Sequence, residues 1–280
     1  MTDDGAISPL PGARGGGRED SPMSTASLTD IGKTFLAEIR DTLVPDRDGV
    51  HGPLPPVLIS MTLVTGLVDA FSYLVLGHVF VANMTGNVVF LGFALAGAPG
   101  FSITASVAAT LAFAAGALIG GRVGAWHRDH RGRLHSAAAA IQAVFLAVAV
   151  ILAVVGDPVS GAGYRYGLIV VLGASMGIQN ASARKLAVPD LTTTVLTLTI
   201  TGIAADSKLA GGSGSKAGRR LLSVATMLLG AVVGAVLIRH APVWWPLLIA
   251  LVVIIAGAVA TYRLGKPAPA WVRASGGQSR

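Results

Sequence analysis

The chain has no cysteine, which excludes disulfides and thiol chemistry. Charge is also scarce. Only 12% of its 280 residues are charged, against about 25% in an ordinary soluble domain. Acids are scarcer still beyond the N-terminal region. Nine of the 14 precede Pro55, and only Asp69, Asp129, Asp157, Asp190 and Asp206 follow. No His-Glu-x-x-His and no phosphate-binding P-loop is present. An enzyme is therefore not expected, no cofactor is implied, and ATP-driven work by this chain alone is not indicated. The first 25 residues hold no apolar core of the kind a cleaved signal peptide needs. The first membrane helix is expected to act as the targeting signal.

What remains is apolar. Hydrophobic residues make up 52% of the chain and mean hydropathy is +0.68. This composition predicts an all-α integral membrane protein. The net charge of +7 does not point to nucleic acid, because no basic stripe is interleaved with aromatics. Loops on the cytoplasmic side of membrane proteins collect Lys and Arg for topological reasons. Residues 1–27 are rich in Gly, Pro and Ser and read as a disordered tail. Residues 28–50 read as an amphipathic helix and linker. Ile31, Phe35, Leu36, Ile39 and Leu43 recur at helical spacing, and Thr29 or Asp30 could cap the start. Such a helix either lies on the membrane surface or packs on its own domain. Pro45, Pro53, Pro55 and Pro56 are expected to break the chain before the membrane.

Eight apolar segments follow, near 57–77, 79–97, 101–121, 136–156, 166–183, 192–205, 221–238 and 243–262. A spanning helix needs about 20 residues. Six fit; 192–205 is short, and 79–97 carries Asn83, Thr85, Gly86 and Asn87. Arg122, Arg128, Arg131 and Arg133 follow the third segment. Lys208, Lys216, Arg219 and Arg220 follow the sixth, and Arg263, Lys266, Arg273 and Arg280 close the chain. All three groups share the cytoplasmic side if 79–97 and 192–205 enter and leave by one face. The expectation is six spanning helices plus two short re-entrant or broken segments, with both termini cytoplasmic. The transmembrane domain is set at 55–264 and a cytoplasmic tail at 265–280.

The segments repeat. Gly66, Asp69 and Ala70 match Gly177, Asn180 and Ala181, and Thr85 and Asn87 match Thr197 and Thr199. Gly116 and Gly120 match Gly230 and Gly234. Each half, about 57–156 and 163–262, holds three spans. An odd number per half gives opposite orientations, a 3+3 inverted repeat of the kind many transporters use.

Asp69 is the one acid inside an apolar segment, where a charge costs about 2.5–3.5 kcal/mol on insertion scales. It either marks an ion or proton path or fixes helix packing by hydrogen bonds. Asn83, Thr85 and Asn87 alternate, so an extended segment would aim all three one way. A helix would put Asn83 and Asn87 together. Thr193, Thr197 and Thr201 make a helical stripe near Gln179 and Asn180. Together, Asp69, Asn83, Thr85, Asn87, Gln179, Asn180, Thr193 and Thr197 are the candidate substrate-binding residues, lining a midplane site for a small polar or ionic solute. Packing between helices is the plainer reading of the same residues, at about 0.6 kcal/mol per contact. Gly116, Gly120, Gly230 and Gly234 read as close-packing faces, through which a homodimer is an option. His127, His130 and His135 read as solvated residues of a basic loop, with no metal site expected. Trp244, Trp245 and Tyr262 sit where aromatic-belt residues sit.

At Gly66-Leu-Val-Asp-Ala and Phe80-Val-Ala-Asn-Met-Thr-Gly-Asn the chain resembles the YoaK family of bacterial membrane proteins. The Gln179-Asn180-Ala181 run and the Thr-rich segment from Leu191 are similar to that family's second-half signature. Leu198 departs from it, standing where family members often carry Gly. The resemblance implies a multi-pass protein of the bacterial inner membrane and supplies no activity. The function expected from the residues is a small secondary transporter or channel, with the lipid bilayer and an unknown solute or ion as partners. The alternative is a non-transporting membrane scaffold.

Overall fold

A computed structural model describes residues 25–44, 46, 49–156, 161–189, 191, 196–205, 216–266 and 269–273. Among the described residues all regular structure is helical, with no strand. The helices are α1 (Thr25–Leu43), α2 (Leu54–Val75), α3 (Met84–Leu95), α4 (Ile103–Trp126) and α5 (Arg131–Val155). They continue with α6 (Ala162–Leu186), α7 (Leu196–Ala205), α8 (Ala217–His240) and α9 (Trp245–Gly265). Five of them, α2, α4, α5, α8 and α9, are long and apolar enough to cross a membrane. The fifth apolar segment, 166–183, expected to span, falls inside α6. This helix is 25 residues long but is broken up chemically by Arg165, Ser175, Gln179, Asn180, Ser182, Arg184 and Lys185.

Several local expectations shift. Pro55 and Pro56 do not precede α2; they sit in its first turn, where a missing N–H costs nothing. Helix α1 begins at Thr25, so Thr29 and Asp30 lie inside it rather than capping it. α5 begins at Arg131, so His135 belongs to a membrane helix and is 1% exposed, not a loop residue. The predicted C-terminal tail is packed at its beginning. Trp271 is buried and lies against Gly52 and Gly132.

Close helix crossings make the core. α2 packs along α8, and α4 packs along α6. If the halves are exchanged by the sequence repeat, the first pair becomes the second, and the atoms follow. A Cβ at Gly66 would lie 2.3 Å from Met227 O and 2.8 Å from Ala231 N. At Gly177 it would lie 2.1 Å from Phe113 O and 2.7 Å from Ala117 N. Gly230 faces Leu63 O as Gly116 faces Ala174 O, and Gly234 faces Ala70 as Gly120 faces Ala181. Only glycine lets backbones approach so closely. All four glycines of the expected dimer face are thus occupied within the chain, against its own helices.

One end of the bundle gathers most of the cations. Arg131, 4% exposed, donates to Leu186 C=O at the end of α6 and to Val50 C=O before α2 (3.3 Å). The starts of α2 and α5 and the end of α6 therefore share one face. His51 stands there with its pKa lowered by burial and then by Arg131, Arg219 and Lys216. α1 packs on the start of α8. Glu38 accepts the Gly218 N–H at 2.8 Å, and Arg219 Nε donates to Thr42 Oγ1 at 3.3 Å. Its other face leaves Leu36, Leu43 and Val44 exposed.

Candidate functional site

α2 ends where Gly77 and His78 turn left-handed, at φ 90 and 56. The His78 N–H closes onto Tyr73 C=O at 3.1 Å. The chain then doubles back along α2 as non-helical backbone from 78 to 83, and only at Met84 does it become helix again. Backbone that is not helical has unpaired N–H groups, and in an apolar setting each costs several kcal/mol if left so.

Two side chains supply the missing partners. Asp69 Oδ1 accepts the N–H of Val81 (3.2 Å) and of Ala82 (3.0 Å). Asp69 Oδ2 accepts from the Asn83 side-chain amide. Asn87 brackets Phe80: its Oδ1 accepts the Phe80 N–H at 2.9 Å, and its Nδ2 donates to the Phe80 carbonyl. Asn87 is 1% exposed and Asp69 5%, so these bonds form out of contact with water. The doubled-back segment returns to its starting point, since His78 Nδ1 lies 3.1 Å from Gly100 O. Aromatic rings fill the space around it. Phe80 stacks on Tyr73 and Phe90 with centroids 5.1 and 5.5 Å apart, and Phe90 meets Phe101 at 5.2 Å.

Asp69, Asn83 and Asn87 are therefore brought together. Thr85 is not: α3 has begun, so Asn83 and Asn87 share one helical face and Thr85 turns to the exposed side. Gln179 lies in a second group. Its side-chain oxygen accepts from Gln142 Nε2 (2.7 Å), and its Nε2 donates to Thr65 Oγ1 (2.9 Å) and Met61 O (3.1 Å). Thr65, Gln142 and Gln179 are all fully buried or nearly so. Asn180 donates to Met176 C=O in its own helix at 2.9 Å. Thr197, in the first turn of α7, is exposed. Thr193 lies outside the described residues.

Sequence reasoning missed Gln142, Ser175, His135 and Thr261. His135 Nδ1 is 2.9 Å from Thr261 Oγ1 of α9, with both side chains buried. Ser175 is fully buried on α6. Gln142 was findable by the argument that singled out Asp69, since it is a lone amide in the apolar run 136–156.

Comparisons with known proteins agree with this architecture. A family model described as a protein of unknown function, DUF1275, matches residues 57–260. The chain is 34% identical over 156 residues to the UPF0700 transmembrane protein YoaK of Bacillus subtilis (strain 168). The match takes in 54% of this chain and 65% of that protein, so it spans less than two thirds of the relative's length. No solved structure matches. Together with five long apolar helices, these matches make the chain an integral, multi-pass membrane protein. It belongs to the DUF1275 family.

Proposed function

We propose that this protein is a small secondary transporter or channel for a small polar or ionic solute, in the inner membrane of a bacterium. On this reading six helices span: the five apolar ones and α6. The segments leading into α3 and α7 are re-entrant, the halves form a 3+3 inverted repeat, and both termini are cytoplasmic. Supporting the inverted repeat is the atom-for-atom equivalence of the Gly66–Met227 and Gly177–Phe113 approaches. Supporting the orientation is the gathering of Arg131, Arg219 and Lys216 at one end.

One observation carries the functional reading. Unwound backbone at Val81–Asn83 is held beside a carboxylate deep inside a membrane helix. Irregular backbone at that depth is tolerated where protein covers it or where it lines a cavity, and transporter sites are built from such discontinuous segments. Asp69 would titrate or hold a cation; no catalytic step is assigned to it. The test is flux into liposomes carrying the purified protein, for solutes first selected by their stabilisation of it in a thermal screen. Flux should depend on pH, and Asp69→Asn should remove that dependence. Unchanged pH dependence takes Asp69 out of the mechanism.

The scaffold reading has its own support: Asp69 and Asn87 are fully engaged in bonds within the chain. A scaffold shows no flux for any solute and no ligand that raises its melting temperature.

A further inference from the structure

The membrane helices contain two polar atoms that are buried and have no partner among the described residues, His135 Nε2 and Ser175 Oγ. Both sit on one line of buried polar groups. α5 carries His135 and, seven residues later on the same face, Gln142. Gln142 binds Gln179 of α6, and Gln179 binds Thr65 of α2. One turn from Gln179 on α6 is Ser175, and one turn from Thr65 on α2 is Asp69.

The heights follow from the helix directions. Arg131 ties the start of α5 to the end of α6 and to the residues before α2. So α2 and α5 run one way and α6 the other. With 1.5 Å of rise per residue, His135 lies about 10 Å below Gln142, and Ser175 and Asp69 both lie about 6 Å above the Gln179–Thr65 bond. The column thus climbs from the cation-rich end to the carboxylate. Between His135 and Gln142 the buried positions are Ala138 and Ala139, the smallest side chains that still keep a helix straight.

The tautomer of His135 is set by its partner. Thr261 spends its hydroxyl proton on Gly257 and Ala258 carbonyls (2.9 and 3.1 Å). Its oxygen then accepts from His135 Nδ1–H at 2.9 Å. Nε2 is left as a bare lone pair facing the interior. Ser175 keeps a hydroxyl proton with nothing to receive it. A buried polar atom without a partner is costly, and ordered water is the usual remedy.

We propose that this column holds water and conducts protons between the cation-rich face and Asp69. This deepens the transporter reading, on which it rests for its purpose, by naming the proton as the coupling ion. A proton held on His135 Nε2, as the imidazolium, passes to the water beside it and along the chain of waters, leaving the neutral ring with its Nδ1–H still on Thr261. The proton ends on Asp69 Oδ2, converting the carboxylate to the acid; release reverses the path. Gln142, Gln179 and Thr65 hold the waters in place and are positioning residues. The groups beside His135 are Thr261, which it binds, and Gly257 of α9, with Ser136 reaching the same Thr261 hydroxyl at 3.2 Å. The nearest charged residue on its own helix is Arg131, one turn earlier, whose guanidinium is bound to Leu186 and Val50 carbonyls. Those facing Asp69 are the Val81 and Ala82 N–H groups and the Asn83 amide.

The experiment is infrared detection of hydrogen–deuterium exchange on the full-length protein in liposomes, without any solute. The Asp69 carboxyl band is identified by its loss in Asp69→Asn. It should exchange in the wild type. Ser175→Ala should slow that exchange by about tenfold or more, and Ser175→Thr, which keeps the hydroxyl, should restore it. Gln142→Leu should slow it further. Ser175→Ala removes no bond that the protein makes, so it keeps the test open even where Gln142→Leu does not fold. An Asp69 band that never exchanges in the wild type overturns the proposal. So does Ser175→Ala exchanging at the wild-type rate, above all with a raised melting temperature, which marks the hydroxyl as dry. Absence of solute flux is a different result, read in the separate screen, and bears on the transporter reading instead.

Discussion

The two interrupted segments share a sequence pattern and are solved differently. In the first half Asp69 and Asn87 accept and donate every bond needed to pin non-helical backbone at Phe80–Asn83. Four phenylalanines and Tyr73 wall it in. In the second half Asn180 replaces Asp69, Thr199 replaces Asn87, and no aromatic residue lies between 184 and 205. A carboxylate accepts several N–H bonds at once, whereas an amide brings one acceptor and must also place two donors. The crossings that bring the halves together, by contrast, are alike to the atom. The frame is repeated and the polar inserts differ. That is the division expected if packing is a shared requirement and solute handling is not.

The largest effects should come from the shared frame and should be equal in the two halves. Gly66→Leu and Gly177→Leu each drive a side chain into a backbone carbonyl 2.3 or 2.1 Å from the first added atom. Each should cost more than about 3 kcal/mol, the upper range of overpacking. Loss of the monodisperse peak in detergent chromatography is the readout. A well-behaved Gly177→Leu beside a collapsed Gly66→Leu would show that the second crossing is looser than the first.

The polar inserts should respond unequally. Asp69→Ala strands the Val81 and Ala82 N–H groups and the Asn83 amide, each worth about 1–3 kcal/mol when buried and unpaired. Partial relief by water makes a net loss of about 3 kcal/mol the expectation. Asn180→Ala should cost about 1 kcal/mol, because its bond to Met176 C=O ends on a carbonyl of its own helix. Asn87→Ala should fall between them, near 2 kcal/mol, by stranding both backbone groups of Phe80. Thermal melts of the three proteins under one condition rank them; equal losses at 69 and 180 would erase the contrast.

The legible part of this architecture was whatever changed composition or recurred. Scarcity of charge gave the membrane class. Gly66, Asp69 and Ala70 against Gly177, Asn180 and Ala181 gave the repeat, because close crossings admit few residue types. Illegible was the point where the backbone period changes. Asn83, Thr85 and Asn87 read as one alternating row only if the segment stays extended through 87. Helix begins at Met84, so Thr85 leaves the group. His135 was misplaced because its neighbours Arg131 and Arg133 read as loop, although guanidinium groups can bind carbonyls at a helix end. Arg131 does so at Leu186. Pairings across helices, such as Gln142 with Gln179, leave no mark in a single sequence.

The smallest effect concerns how each half ends its first helix. α2 turns at Gly77 with φ 90, while α6 turns at Ala187 with φ 49, where an L side chain is disfavoured. Nothing crowds Gly77; the nearest atom to a Cβ there is Arg165 Nη1 at 3.8 Å. Its substitution therefore reads backbone conformation alone. Gly77→Ala should lower stability by about 1 kcal/mol, the left-handed penalty. Ala187→Gly should raise it by somewhat less, about 0.5 kcal/mol, because glycine's unfolded chain regains entropy. Arg131 already binds the Leu186 carbonyl, so the α6 terminus has a partner whichever residue follows. If Ala187→Gly instead lowers the melting temperature, the alanine is holding the turn into the second insert. The halves would then differ in the rigidity of their entries as well as in the polar groups beyond them.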